Sequence, residues 1–190
     1  MVTNDLPDDI RDHLLARWRE PHRDYHGIKH LETGLEYLDQ LGGTAIERIA
    51  FWFHDAVHTN TSPDDELASA ELVRSRLSGV LTPAEVTEVA RLVLVTISHD
   101  PEPGDEAGAR ISDADLAGLA RPWEGYLDNI RGIRAELPHV DDHAWRIGRS
   151  AVLEQLLGHE RLFHTAHGAT HWEQRARANL VRELSALQPD

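Results

Sequence analysis

The sequence predicts an all-α, single-domain helical bundle. Three observations carry this expectation. Apolar residues recur at steps of three and four over long stretches, no stretch alternates apolar and polar side chains as a strand does, and no internal repeat is present. In "TAIERIAFWFHDAV" (44–57), Ile46, Ile49, Ala50, Phe53 and Val57 form one buried helical face. In "PAEVTEVARLVLVTISH" (83–99), Val86, Val89, Ala90, Val93, Leu94 and Ile97 do the same. Thr82, Pro83 and Glu85 start that helix with an N-cap hydroxyl, a proline at the first helical position and a capping-box glutamate. An irregular loop is expected from about 99 to 111, of a length that often serves function. Ser112 and Pro122 then open two further helices. "HWEQRARANLVRELSAL" (171–187) reads as one charged amphipathic helix along the bundle. Glycine and proline at 42–43, 101–104 and 168 punctuate the pattern.

Composition narrows the function classes. Hydrophobic residues make up 41% and charged residues 27%, the mixture of a soluble globular chain. The runs "IAFWF" and "LVLVTI" are far shorter than the ~20 residues that span a bilayer. The acidic start "MVTNDLPDDIRDH" has neither the basic start nor the apolar core of a signal peptide, so a cytoplasmic location is expected. With no cysteine, disulfides and thiolate metal sites are excluded. A net charge of −14, from 33 acidic and 19 basic residues, argues against a nucleic acid polymer or an anionic membrane as partner. A small anion remains compatible if a metal supplies local positive charge. A homodimer is compatible with the composition.

Thirteen histidines make chance pairs common, so each histidine motif must be weighed in context. In "RDYHGIKH" (23–30), His26 and His30 are four apart, and on a helix their Cβ atoms would lie ~6 Å apart on one face. In "FWFHDAV" (51–57), His54 and Asp55 border a strongly apolar face, where a carboxylate is costly unless paired or bound to a cation. In "ISDADLAGLA" (111–120), Asp113 and Asp115 precede an apolar pair and could instead complement a helix dipole. The run His159, His164, His167 and His171 lacks a carboxylate pattern and is expected to be solvated surface. Trp18, Trp52, Trp123, Trp145 and Trp172 are expected in the core and between helices.

The order His, His-Asp, Asp resembles the HD-domain superfamily of metal-dependent phosphohydrolases. More narrowly, "RDYHGIKH", "WFHD", "DELASA", "TISH" and "DADL" resemble, in order, motifs of predicted bacterial HD phosphohydrolases, with "EQRARANL" near the end. The resemblance covers about 17–186 of a domain taken as 1–190. It implies that His30, His54, Asp55 and Asp115 ligate one divalent metal ion (Mn, Co, Ni, Zn, Mg or Fe), with a second ion possible. Asp115 is preferred to Asp113, which becomes a neighbouring or capping residue. The Tyr-His-x-x-x-His spacing is also similar to that of cyclic-nucleotide phosphodiesterases, which implies His26 as general acid and Tyr25 as its packing neighbour. Gly27 and Asp65 depart from the family patterns, where asparagine is usual.

The expected reaction is hydrolysis of a small phosphorylated metabolite or nucleotide. The cation would acidify water and polarise phosphoryl oxygens, with Asp55 also counted among the catalytic residues. Glu66 would orient water. Arg23 would grip phosphate bidentately, and His99 would touch substrate or a second metal. Two alternatives stand beside this: an HD-type di-iron oxygenase, using His26 and His99 as extra ligands, and a non-catalytic metal or nucleotide sensor.

Overall fold

The computed structural model describes residues 6–187. Helices follow in the order α1 (Asp8–Trp18), α2 (Ile28–Gln40), α3 (Ala45–Phe53), α4 (Asp64–Leu77), α5 (Pro83–Val95), α6 (Glu106–Leu116), a 3₁₀ turn (Ala117–Ala120), α7 (Trp123–Ala135), α8 (Asp142–Gly158), α9 (Ala166–His171) and α10 (Glu173–Leu187). An isolated bridge between Ser78 and Leu81 is the only strand-like pairing among the described residues. The fold is all-α. No helix among the described residues is long and apolar enough to cross a membrane.

Two apolar clusters organise the helices. The first joins α1 to α6 through residues such as Leu14, Trp18, Leu31, Phe51, Trp52, Val73, Val93 and Ile111. Burying each such side chain contributes about 1.5–3 kcal/mol. The second joins the 3₁₀ turn to α7–α10 through Tyr126, Leu153, Phe163 and Leu180. Inside it, Arg149 donates two hydrogen bonds to the Glu183 carboxylate at 2.8 and 3.0 Å, and the Tyr126 hydroxyl donates to the same group. That pairing is what lets a charged trio be buried.

Local chemistry explains most helix ends. Thr82 caps α5 with a reciprocal Glu85 bond, as the sequence predicts. Thr44 and Glu47 make the same capping box at α3. Glu47 also accepts two bonds from Arg110 at 2.8 Å each, which fixes α6 against α3. At Gly34 an added Cβ would lie 2.1 Å from the Phe51 ring, so only glycine lets α2 approach α3 this closely.

Four boundaries differ from expectation. Ser112 does not open a helix: it is buried within α6, whose N-cap is Asp105, accepting from the Gly108 amide. The irregular connection is therefore shorter than 99–111 and ends where Asp105 also binds Arg91. The last helix is broken at Trp172, because the Glu173 carboxylate turns back to accept the Leu162 and Phe163 amides. Finally, α3 stops at Phe53 and does not run on to Val57, because side chains from 17–23 take the carbonyls at its end, as set out below.

Candidate metal centre

The end of α3 is held open by cations and a tryptophan. Trp18 Nε1 donates to the Trp52 carbonyl at 3.0 Å. Arg23 Nη1 donates to the Asp55 carbonyl at 2.7 Å and the His26 carbonyl at 3.1 Å, and its Nη2 donates to the Ala56 carbonyl at 3.3 Å. The Trp52, Asp55 and Ala56 carbonyls lie at or just beyond the C-terminus of α3, where positive charge is favourable. The Arg23 side chain is 0% exposed, with Nε paired to Glu20 and the guanidinium over the Trp18 ring. This corrects the expectation that Arg23 grips phosphate: every bond it makes is to the protein, and it is closed off from ligand.

The turn so formed aims His54 inward. His54 Nδ1 donates to the Phe51 carbonyl at 2.8 Å, which leaves Nε2 as the lone-pair nitrogen. His54 Nε2 faces His30 Nε2, from α2, at 3.2 Å. Asp115 Oδ1, from α6, lies 3.0 Å from His30 Nε2 and 3.6 Å from His54 Nε2. Ligands ~2.1 Å from a shared centre are about 3.4 Å apart at the corners of a tetrahedron, so this donor set fits a divalent cation. One atom from each of His30, His54 and Asp115 falls within 4.8 Å of the others. Asp55 flanks the trio, with Oδ2 at 3.2 Å from His54 Nε2 and 3.8 Å from His30 Nε2.

Asp113 and Asp115, two apart on one helix, point to different places. Asp113 is fully buried and accepts from the His164 amide at 2.7 Å, the Thr165 amide at 2.9 Å and the Thr165 hydroxyl at 2.6 Å. It anchors the 164–165 loop, while Asp115 faces the histidines. His164 is correspondingly half-buried, with Nε2 bonded to the His99 carbonyl at 3.1 Å, which corrects its reading as solvated surface. His167 and His171 are exposed, as expected.

His26 is not on the helical face that its spacing suggests. Gly27 caps α2, so His26 precedes the helix and its ring turns to Glu136, just beyond α7. Glu136 Oε1 accepts the amides of Asp24, Tyr25 and His26 at 2.9, 2.7 and 2.8 Å. Its Oε2 lies 2.6 Å from His26 Nδ1 and 3.3 Å from His58 Nε2. Burial alone would raise the Glu136 pKa, but these bonds hold it well below the ordinary range. An ionised Glu136 can only accept, so His26 Nδ1 carries the proton and Nε2 is left free. Donor atoms of His26, His58 and Glu136 also lie within 4.8 Å of one another, though the carboxylate is already satisfied by hydrogen bonds. The His26 and His30 ring centroids are 5.8 Å apart.

Two other expected residues stand apart from the trio. His99 reaches it only at 3.7 Å, Nε2 to Asp115 Oδ2, from a backbone with φ of 52°. Burial lowers its pKa, and its Nδ1 is buried with no partner among the described residues. Glu66, on α4, has no hydrogen bond or ion pair to the cluster among the described residues, and its Oε2 is buried and unpartnered. Neighbouring Asp65 is a latch, accepting the amides and hydroxyls of Thr59 and Thr61.

Electrostatics make cation and proton compete at His54. Burial would lower its pKa, but Asp55 and Asp115 outweigh burial and raise it well above the usual imidazole value. Both carboxylates are held low in return, chiefly by His54. A cation must therefore displace about one proton below that raised value. Its affinity should fall about tenfold per pH unit of acidification. Calorimetric Mn²⁺ titrations from about pH 5 to 8, in buffers of different ionisation enthalpy, would check this; a pH-independent affinity would contradict it. No family model, no curated protein and no solved structure matches this chain.

Proposed function

We propose that the chain is a metal-dependent phosphohydrolase of the HD-domain type, acting on a small phosphate ester. One observation carries the reading: three segments distant in sequence bring His30, His54 and Asp115 to one point, with His54 Nε2 turned inward by its bond to Phe51. Asp55, beside the two histidines, completes the ligand set. A divalent cation held there supplies acidified water and polarises phosphoryl oxygens. The protein's own part is orientation and proton transfer. Glu136 fixes the His26 ring through Nδ1–H, and the imidazolium form of His26, with its second proton on Nε2, would pass that proton to the leaving alkoxide and end as the neutral ring. Arg23 acts only by holding the segments that carry His26 and Asp55, and Asp113 only by anchoring the 164–165 loop.

The test is elemental analysis of untagged protein, followed by a screen of phosphate esters with the loaded form. About one divalent ion per chain, with ester turnover that is lost on its removal, is the expected result. Two irons per chain and no ester turnover would replace this reading with an oxygenase. Metal without any turnover would leave a sensor.

A further inference from the structure

With Arg23 closed off, the phosphate must be met by other groups. A cavity of about 120 Å³ opens beside His30 and Asp115, between α2 and the 3₁₀ turn with α7. Two of its lining residues are cationic. Lys29 is the only lysine in the chain, sits one residue before His30, is exposed, and has no hydrogen-bond or ion-pair partner among the described residues. Arg121 enters from the far side and carries no ion pair among the described residues. Its Nη1 donates to Asn129 Oδ1 at 3.1 Å, and Gly125 leaves its guanidinium room, since a Cβ there would lie 3.0 Å from Nε. Three carboxylates also line the cavity, but they are accounted for. Asp115 faces the metal trio, Asp128 is paired with Arg131 at 2.6 Å, and Asp24 is exposed. Tyr25 contributes a phenol whose pKa is raised by burial and by Asp115 and Asp55, so it stays a neutral donor.

We infer that this cavity is the phosphoryl subsite of the reaction proposed above, with Lys29 and Arg121 as its anion ligands, and that the substrate is a compact phosphomonoester. The inference rests on the phosphohydrolase reading. Lysine meets phosphate as a point charge and arginine as a planar fork, and together with the cation they would enclose a dianion from three sides. Size sets the class. Pockets that take drug-sized ligands measure ~300–1,000 Å³, and this cavity of about 120 Å³ lies well below that range. A phosphoryl group and a short chain fit, whereas a nucleoside would have to remain outside.

Binding to Mn²⁺-loaded protein, read by calorimetry, tests this, with inorganic phosphate titrated into the wild type and the two esters into a His26→Gln background that slows their turnover. Inorganic phosphate, ethyl phosphate and adenosine monophosphate are the probes. Inorganic phosphate should bind the wild type, and its Kd should rise about tenfold or more in Lys29→Met and in Arg121→Gln. Mn²⁺ content should stay unchanged, with Lys29→Arg recovering most of the loss. Ethyl phosphate should bind at least as well as inorganic phosphate, and adenosine monophosphate no better. Phosphate binding equal in wild type and both variants would overturn the subsite while leaving the phosphohydrolase reading in place. Adenosine monophosphate binding tenfold tighter than phosphate would overturn the size class. No phosphate binding by loaded wild type would overturn both.

Discussion

Replacing Asp115 by alanine should weaken Mn²⁺ or Zn²⁺ binding by more than about 100-fold and abolish turnover, while Asp113→Ala should keep the metal and lose stability instead. The opposite outcomes follow from where the two carboxylates point. Asp115 Oδ1 lies 3.0 Å from His30 Nε2 and within the ring of donors that a cation would share. Asp113 holds two backbone amides and a hydroxyl at 2.6–2.9 Å and touches no histidine ring nitrogen of the trio. Its removal strands two amide donors, at about 1–3 kcal/mol each. Asp113→Asn keeps one acceptor oxygen, enough for the His164 amide or for Thr165 but not for both, and should recover only part of that loss. Chemical denaturation and metal titration on the same samples decide the matter. Metal lost with Asp113→Ala in folded protein, or kept with Asp115→Ala, would reverse the assignment.

His26→Gln should lower kcat by about 10²–10⁴ on an alkyl phosphate ester, with metal content unchanged. On p-nitrophenyl phosphate the loss should be far smaller, since nitrophenolate departs without needing a proton. Glu136→Gln keeps an acceptor oxygen for the three amides but no longer holds the His26 ring as a charged partner. It should follow the same leaving-group pattern at smaller magnitude. Equal losses on both esters would mean that His26 positions substrate and does not transfer the proton.

Helical periodicity made the first core legible, and the Thr82 box at α5 could be placed to the residue. The same signal stands in the sequence as Thr44 and Glu47 at α3, and Asp105 after Gly104 marks the start of α6. The meeting of His30, His54 and Asp115 was legible because these residues sit in ordered motifs. Glu136 was not, since no local pattern marks a carboxylate that works on amides 110 or more residues away. Spacing misled where the chain is not helical. His26 precedes α2, so the step of four does not place it on a shared helical face with His30. Lys29 had a signal of its own, being the chain's single lysine.

Arg23 carries a consequence for any sequence with this pattern. Its rigid plane touches the carbonyls of His26, Asp55 and Ala56 at once. It therefore works as a spacer between the strip that bears His26 and the bend that bears His54 and Asp55. Lysine, with a single flexible ammonium, could not gauge three oxygens in this way. An arginine three residues ahead of such a histidine thus reports how two segments of the chain are held together.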